Sequence, residues 1–200
     1  MTAAGLVLAA GAGRRFGGPK ALARIDGVRL VDRMVAVARD GGCRPVVVVE
    51  GAASLAPVSG ARVVHADDWA EGMGASLRTG LAALPDDAGA CVVLLVDTPW
   101  LTGAAVRHVL AGRPGRGARV AVYEGRRAHP VVLARAVWPE VARLAVGDEG
   151  ARAWMRAHPD EVTEVDCTGL ADPTDVDVPG HGVHLTGKAG PPRPGPTGPR

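Results

Sequence analysis

"LAAGAGRRFGGPKAL", residues 8–22, is a glycine-rich run placed directly after the apolar segment "AGLVLAA" (4–10). A strand followed by such a loop can bind phosphates in several ways. The dinucleotide fingerprint G-x-G-x-x-G starts correctly at Gly11 and Gly13, but Phe16 stands where a small residue is needed. Glu50 lies too far along to be the acidic residue that reads a ribose. The P-loop pattern fails too: counted from Gly13, Gly18 fits, but Pro19 holds the lysine position and Lys20 comes one residue late. A third reading fits. Small residues let the main chain bend around a triphosphate and present N–H groups to it, while Arg15 and Lys20 supply positive charge. Pro19 biases Gly18 toward an extended shape and keeps Lys20 in the loop. The plain alternative is a strand and turn whose basic residues are solvated.

Outward from this loop, short valine-rich runs alternate with helical stretches. Residues 4–10, 45–50, 61–66, 91–97 and 118–124 read as strands buried on both faces. Helices are expected over 30–42, 74–85 and 102–115, the last with Thr102 as N-cap. Residues 124–135 suggest a hairpin, followed by helical 136–145 and 149–158 and a strand over 161–167. The alternation predicts an α/β fold: one Rossmann-like domain over residues 1–180, with a mostly parallel sheet and helices on both faces. Residues 181–200 are Gly/Pro-rich without periodicity and read as a disordered tail.

Composition narrows the function classes. Of 200 residues, 47% are hydrophobic but only 3% aromatic, so the core must be built from Val, Leu and Ala. The net charge of +2 comes from the last thirteen residues; the rest carries 20 bases against 21 acids, with no basic run, which argues against a nucleic-acid partner. Cys43, Cys91 and Cys167 show no metal-ligand spacing and fit reduced, buried thiols. No apolar run approaches the ~20 residues of a membrane span, and a cytoplasmic protein without membrane contact is expected.

"LAAGAGRRFGGPK" resembles the signature LAAGxSxRxGxPK of the MobA-like nucleotidyltransferases, with Gly13 for the commoner Ser and Phe16 for the commoner Met. "EGMGASLRTGL" (71–81), "LLVDTPWLT" (94–102), "AHPVVL" (128–133), "GDEGAR" (147–152) and "DVDVP" (175–179) follow in the order found in the branch similar to molybdenum cofactor cytidylyltransferase. The resemblance implies transfer of a nucleoside monophosphate, CMP from CTP in that branch, onto the phosphate of molybdenum-pterin cofactor. Guanylyl transfer or loading of a sugar phosphate remain alternatives, as does a carrier that binds nucleotide or cofactor without turnover. A molybdoenzyme or its accessory protein would receive the product.

Such a reaction joins anionic partners, so charge neutralisation and in-line positioning carry it. Arg15, Lys20 and Asp97 are the catalytic candidates, with Leu8, Ala9, Ala10, Gly11, Gly13, Lys20, Gly74 and Ser76 around the nucleotide. Gly74 and Ser76 precede or open a helix whose N–H groups suit an anion; Ser76 can equally be a first-turn residue. Asp97 ends an apolar strand, where open α/β sheets bind ligands, and is the expected Mg²⁺ ligand. Asp177 is the expected second ligand, with Asp175 beside it. The branch usually reads DIDTPED there; this chain has Val178 for Thr and Gly180-His181 for Glu-Asp. The resemblance puts His129, Asp148 and Arg152 on the acceptor side, although Asp148 also suits a helix cap. Arg78 reads as a solvated face charge, and the four tryptophans show no constellation.

Overall fold

The structure is a computed structural model that describes residues 2–112 and 115–177. Pro179 and the expected tail over 181–200 lie outside the described residues. Among the described residues, nine strands and five α-helices follow one another as β1 (Ala3–Leu8), β2 (Arg24–Ile25), β3 (Val28–Arg29), α1 (Leu30–Asp40), β4 (Val46–Glu50), β5 (Arg62–His65), α2 (Met73–Ala83), β6 (Ala90–Leu95), α3 (Gly103–Ala111), β7 (Ala118–Tyr123), β8 (Arg126–Ala134), α4 (Trp138–Leu144), α5 (Arg152–Ala157) and β9 (Val162–Asp166).

Seven strands form one sheet in the order β5-β4-β1-β6-β8-β7-β9. β1 pairs in parallel with both β4 and β6, β4 with β5, and β7 with β9; only β8 runs against its neighbours β6 and β7. The chain leaves β1 toward β4 and later returns to its other side as β6. β1 is therefore where strand order reverses, the position at which open α/β sheets hold ligands beyond their carboxyl ends.

The valine-rich runs explain the layering. Alternate side chains of a strand point to opposite faces, so Val7, Val48, Val92 and Leu94 meet α1 and α3 through Val31, Met34, Val106 and Val109. Leu6, Leu8, Val47, Val49 and Val93 face the other way and meet Leu77 and Leu81 of α2, Val141 of α4 and Trp154 of α5. Each such side chain, removed from water, contributes on the order of 1.5–3 kcal/mol.

Helix limits fall within a few residues of expectation, and Thr102 does cap α3, its hydroxyl oxygen accepting from the Ala105 N–H at 3.2 Å. The β2–β3 ribbon is an addition. Its turn, Asp26-Gly27, has both residues at positive φ, 51° and 80°, the arrangement that an Asp-Gly pair between extended residues favours. Helix 149–158 is shorter than expected because residues 145–151 are spent on a turn that docks against α2.

Candidate active site

The glycine loop leaves β1 buried and emerges exposed. Leu8, Ala9 and Ala10 are 6%, 5% and 4% exposed. Their main chain is tied to the β4 side: Ala9 N–H donates to Val49 at 3.0 Å and Ala10 accepts from Ala52 at 3.0 Å. Beyond Gly11 the loop turns back on Gly13, whose carbonyl accepts from Gly17 at 2.9 Å and Gly18 at 3.1 Å. Gly13 has φ +58°, and a Cβ there would lie 2.0 Å from the Gly18 carbonyl oxygen, so no other residue closes this turn. The N–H groups of residues 11–15 donate to no other backbone group among the described residues. Phe16 tucks beneath as a core residue, 1% exposed, and anchors the loop from below.

Lys20 opens a single 3-10 turn, Lys20–Leu22, and reaches across to the end of β6. Its Nζ lies 3.0 Å from Asp97 Oδ2 and 2.8 Å from Asp177 Oδ1. Arg15 Nη1 approaches the other Asp177 oxygen at 3.7 Å, with its side chain 85% exposed. Asp97 lies two residues beyond the end of β6. Asp177 arrives from 157 residues after Lys20 because the segment after β9 crosses back over the sheet edge, where the Val176 N–H donates to the Asp97 carbonyl at 2.9 Å. That crossing also delivers Asp175. One carboxylate oxygen from each of Asp97, Asp175 and Asp177 lies within 4.8 Å of the others. Three hard oxygen donors at this spacing suit a divalent cation such as Mg²⁺ or Mn²⁺.

Burial works against the Lys20 charge and is the largest single influence on it. The hydrogen bonds and charges of Asp177 and Asp97 outweigh it and hold the ammonium above its ordinary value. Reciprocally, the hydrogen bond and charge of Lys20, with a smaller contribution from Arg15, hold Asp177 below the usual carboxylate range.

The start of α2 is less open than the sequence suggests. The Met73 N–H donates to Asp148 Oδ1 at 3.2 Å, and the Gly74 N–H donates to the Gly147 carbonyl at 2.7 Å. A Cβ on Gly74 would lie 2.4 Å from the Ala145 carbonyl oxygen, so this glycine permits close contact between two backbones. Ser76 is 4% exposed. Asp148 thus caps α2 rather than its own helix α5, where Ala151 is the N-cap. Arg78 is no solvated charge: it donates to Asp68, Glu71 and the Ala145 carbonyl, and locks the Gly-Met-Gly segment from both sides. Its partners lie ten and seven residues upstream and 67 downstream, a pattern with no sequence signature.

Arg152 Nη2 donates to the Asp148 carbonyl at 2.8 Å, and its charge reaches His129. His129 sits on β8 two residues before Val131, which pairs with Val93 of β6, and so lies toward the same sheet edge as Asp97. Burial first, and the Arg152 charge second, push its imidazole down to about 4. His129, Asp148 and Arg152 thus form one neighbourhood on the α2 side, while Lys20, Asp97, Asp175 and Asp177 form another at the loop.

The MobA-like NTP transferase domain model matches residues 5–162, which stops short of Asp175 and Asp177. Nicotine blue oxidoreductase of Paenarthrobacter nicotinovorans is 39% identical over 188 residues, covering 87% of this chain and 91% of that protein. Molybdenum cofactor guanylyltransferase of Rhodobacter capsulatus is 31% identical over 166 residues, 74% of this chain and 77% of that one. Among solved structures, Rv0371c of Mycobacterium tuberculosis superposes with a TM-score of 0.73 at 30% identity, over 89% of this chain and 94% of that one. A structure of Rv0371c in complex with manganese superposes at 0.69, with 27% identity over 88% and 94% of the two chains. Matched over most of its length, and with the glycine loop set against a carboxylate-bearing sheet edge, this chain belongs to the MobA-like NTP transferase domain family.

Proposed function

We propose that this protein transfers a nucleoside monophosphate from a nucleoside triphosphate to the phosphate of a small-molecule acceptor, releasing pyrophosphate, with CTP and molybdenum-pterin cofactor as the pair. The observation that carries this reading is the meeting of Lys20 with Asp97 and Asp177 beside a loop of undirected N–H groups. The N–H groups of residues 11–15 bind the triphosphate oxygens, and Arg15 and Lys20 offset its charge. An oxygen of the acceptor phosphate attacks the α-phosphorus, and the bond to the pyrophosphate oxygen breaks. No general base is required, because the acceptor is already ionised at neutral pH. Asp97 and Asp177, with Asp175 beside them, would hold Mg²⁺, which when bound would supply further charge neutralisation at the phosphates. His129 and Arg152 lie on the acceptor side, where a cationic guanidinium next to a neutral imidazole suits a phosphorylated pterin.

The test is pyrophosphate release with Mg²⁺ and each of CTP, GTP, ATP and UTP, with and without molybdenum-pterin cofactor. Release with CTP that depends on the cofactor and disappears in Asp97→Ala supports the full reading. Turnover with GTP, the substrate class in the names of the guanylyltransferase relatives, keeps the chemistry and changes the base. Turnover with a sugar phosphate changes the acceptor. Binding of nucleotide without turnover supports a carrier. The cytoplasmic setting, and delivery of the product to a molybdoenzyme or its accessory protein, belong to the same proposal.

A second reading comes from the 39%-identical relative, whose name is that of an oxidoreductase. Two observations weigh against a nicotinamide dinucleotide here. Phe16 fills the core beneath the loop where a dinucleotide loop needs a small residue. Glu50, which does end the strand beside β1, spends its carboxylate on the Leu55 N–H at 2.6 Å rather than facing a ribose. Oxidation of NADH or NADPH by an added dye, with no pyrophosphate release under any condition, would favour the oxidoreductase.

A further inference from the structure

Lys20 holds two roles that exclude each other in time. Its side chain is 14% exposed and is spent on carboxylates, at 3.0 Å to Asp97 and 2.8 Å to Asp177. These are two of the three groups whose oxygens lie within 4.8 Å of one another. A second cationic group, Arg15, leans on the same Asp177 at 3.7 Å. A divalent cation held by those carboxylates and an ammonium in contact with two of them would repel each other strongly at 3–4 Å. The ammonium therefore has to leave before, or as, the metal enters. Lys20 directly follows the loop that wraps the triphosphate, and its flexible four-carbon stem lets the charge move by side-chain rotation alone. A triphosphate presents a denser negative charge than the two carboxylates and gives the ammonium somewhere to go.

We infer that Lys20 latches the metal site: in the free protein its ammonium occupies the Asp97 and Asp177 carboxylates, and an arriving nucleoside triphosphate draws it off, so that the divalent cation enters with the nucleotide rather than ahead of it. This rests on the reading of the site as a nucleotidyl-transfer centre. Coupling of this kind is reciprocal: a lysine that weakens metal binding when no nucleotide is present is the same lysine that links metal and nucleotide affinity. Arg15 adds little to the latch, since an exposed pair at 3.7 Å contributes weakly.

The experiment titrates Mn²⁺ alone into the full chain without nucleotide, following the loss of the free-ion electron paramagnetic resonance signal. The wild-type chain should bind weakly. Lys20→Met, or Lys20→Gln as the companion that keeps a polar tip if the methionine variant does not fold, should bind about tenfold more tightly or better, within the range usual for coupled sites. Lys20→Arg keeps a cation in place and should stay close to wild type. Asp97→Asn introduced into the Lys20→Met background should abolish the gain. Equal Mn²⁺ affinity in wild type and both uncharged variants, or weaker binding in the variants, overturns the latch while leaving the metal site intact. No Mn²⁺ binding in any variant, together with no pyrophosphate release from the wild type, overturns the latch and the nucleotidyl-transfer reading together.

Discussion

The backbone N–H of Val176 donates to the carbonyl oxygen of Asp97 at 2.9 Å. This single bond pins the segment after β9 across the end of β6, and it is what brings Asp175 and Asp177 to the first carboxylate. Val176 itself is buried at 6% exposure, so the crossing is held by packing as well as by the hydrogen bond.

Val176→Pro tests the crossing, because proline removes the donated N–H. One hydrogen bond is worth only about 0.5–1.5 kcal/mol net, so thermal unfolding should shift by no more than a few degrees. Pyrophosphate release should fall by about tenfold or more, because displaced carboxylates misplace the charges the reaction needs. A variant with full activity would show that this hydrogen bond is not what places Asp177.

Asp97→Asn keeps the shape of the side chain and removes its charge. Turnover should drop by about 10²–10³, the cost typical of losing one preorganised electrostatic partner. Circular dichroism should remain that of the wild type, since the carboxylate is not part of the core.

Gly74→Ala separates a packing role from a ligand-binding one. In an open helix interior this change stabilises by up to about 1 kcal/mol. Here the added methyl meets the Ala145 carbonyl oxygen at 2.4 Å, so chemical denaturation should instead show a loss of roughly 1–3 kcal/mol. A stable variant with a raised KM for nucleotide would favour direct contact between Gly74 and the substrate.

His129 predicts a pH dependence of stability. Its folded value is lowered to about 4 against an ordinary 6.5, so the unfolded chain binds the proton first as pH falls. Stability should therefore be unaffected above about pH 6.5 and should decline between about 6.5 and 4. Urea midpoints across that window should flatten in His129→Gln. An identical slope in the variant would place the titrating group elsewhere.

All three thiols are buried. Burial pushes Cys43 up to about 12, and it raises Cys91 and Cys167 as well. Native protein at pH 8 should give no fast reaction with a disulfide-exchange reagent, and all three thiols should react once the chain is unfolded in denaturant. Fast reaction in the native state would point to local opening around one of them.

Much of this architecture is written in local patterns. Continuous valine runs mark β1, β4, β6 and β7 as strands covered on both faces, whereas the edge strand β5, expected to be covered too, is half-exposed. Thr102 caps the start of α3 and Gly41 the end of α1, both within a few residues of the expected limits. The Asp26-Gly27 turn carries a recognisable hairpin signal in its two residues, although the flanking strands are only two residues each. The turn at Gly13 is likewise legible, because a tight turn at positive φ needs glycine. The α2 N-terminus is not. Its N–H groups look free in sequence, and the acceptors that take them, Asp148 and Gly147, lie more than 70 residues away.

The sequence alone determined the layered α/β fold, the tight glycine turn after β1 and the strand-end carboxylate Asp97, since each depends on periodicity or on residues a few positions apart. Only the tertiary structure decided that Lys20 rests on Asp97 and Asp177, that Asp148 caps a distant helix and that Arg78 clamps it. Those contacts join segments separated by up to 157 residues, and their partners are chosen by how the sheet and its crossings bring chain ends together, which no local pattern encodes.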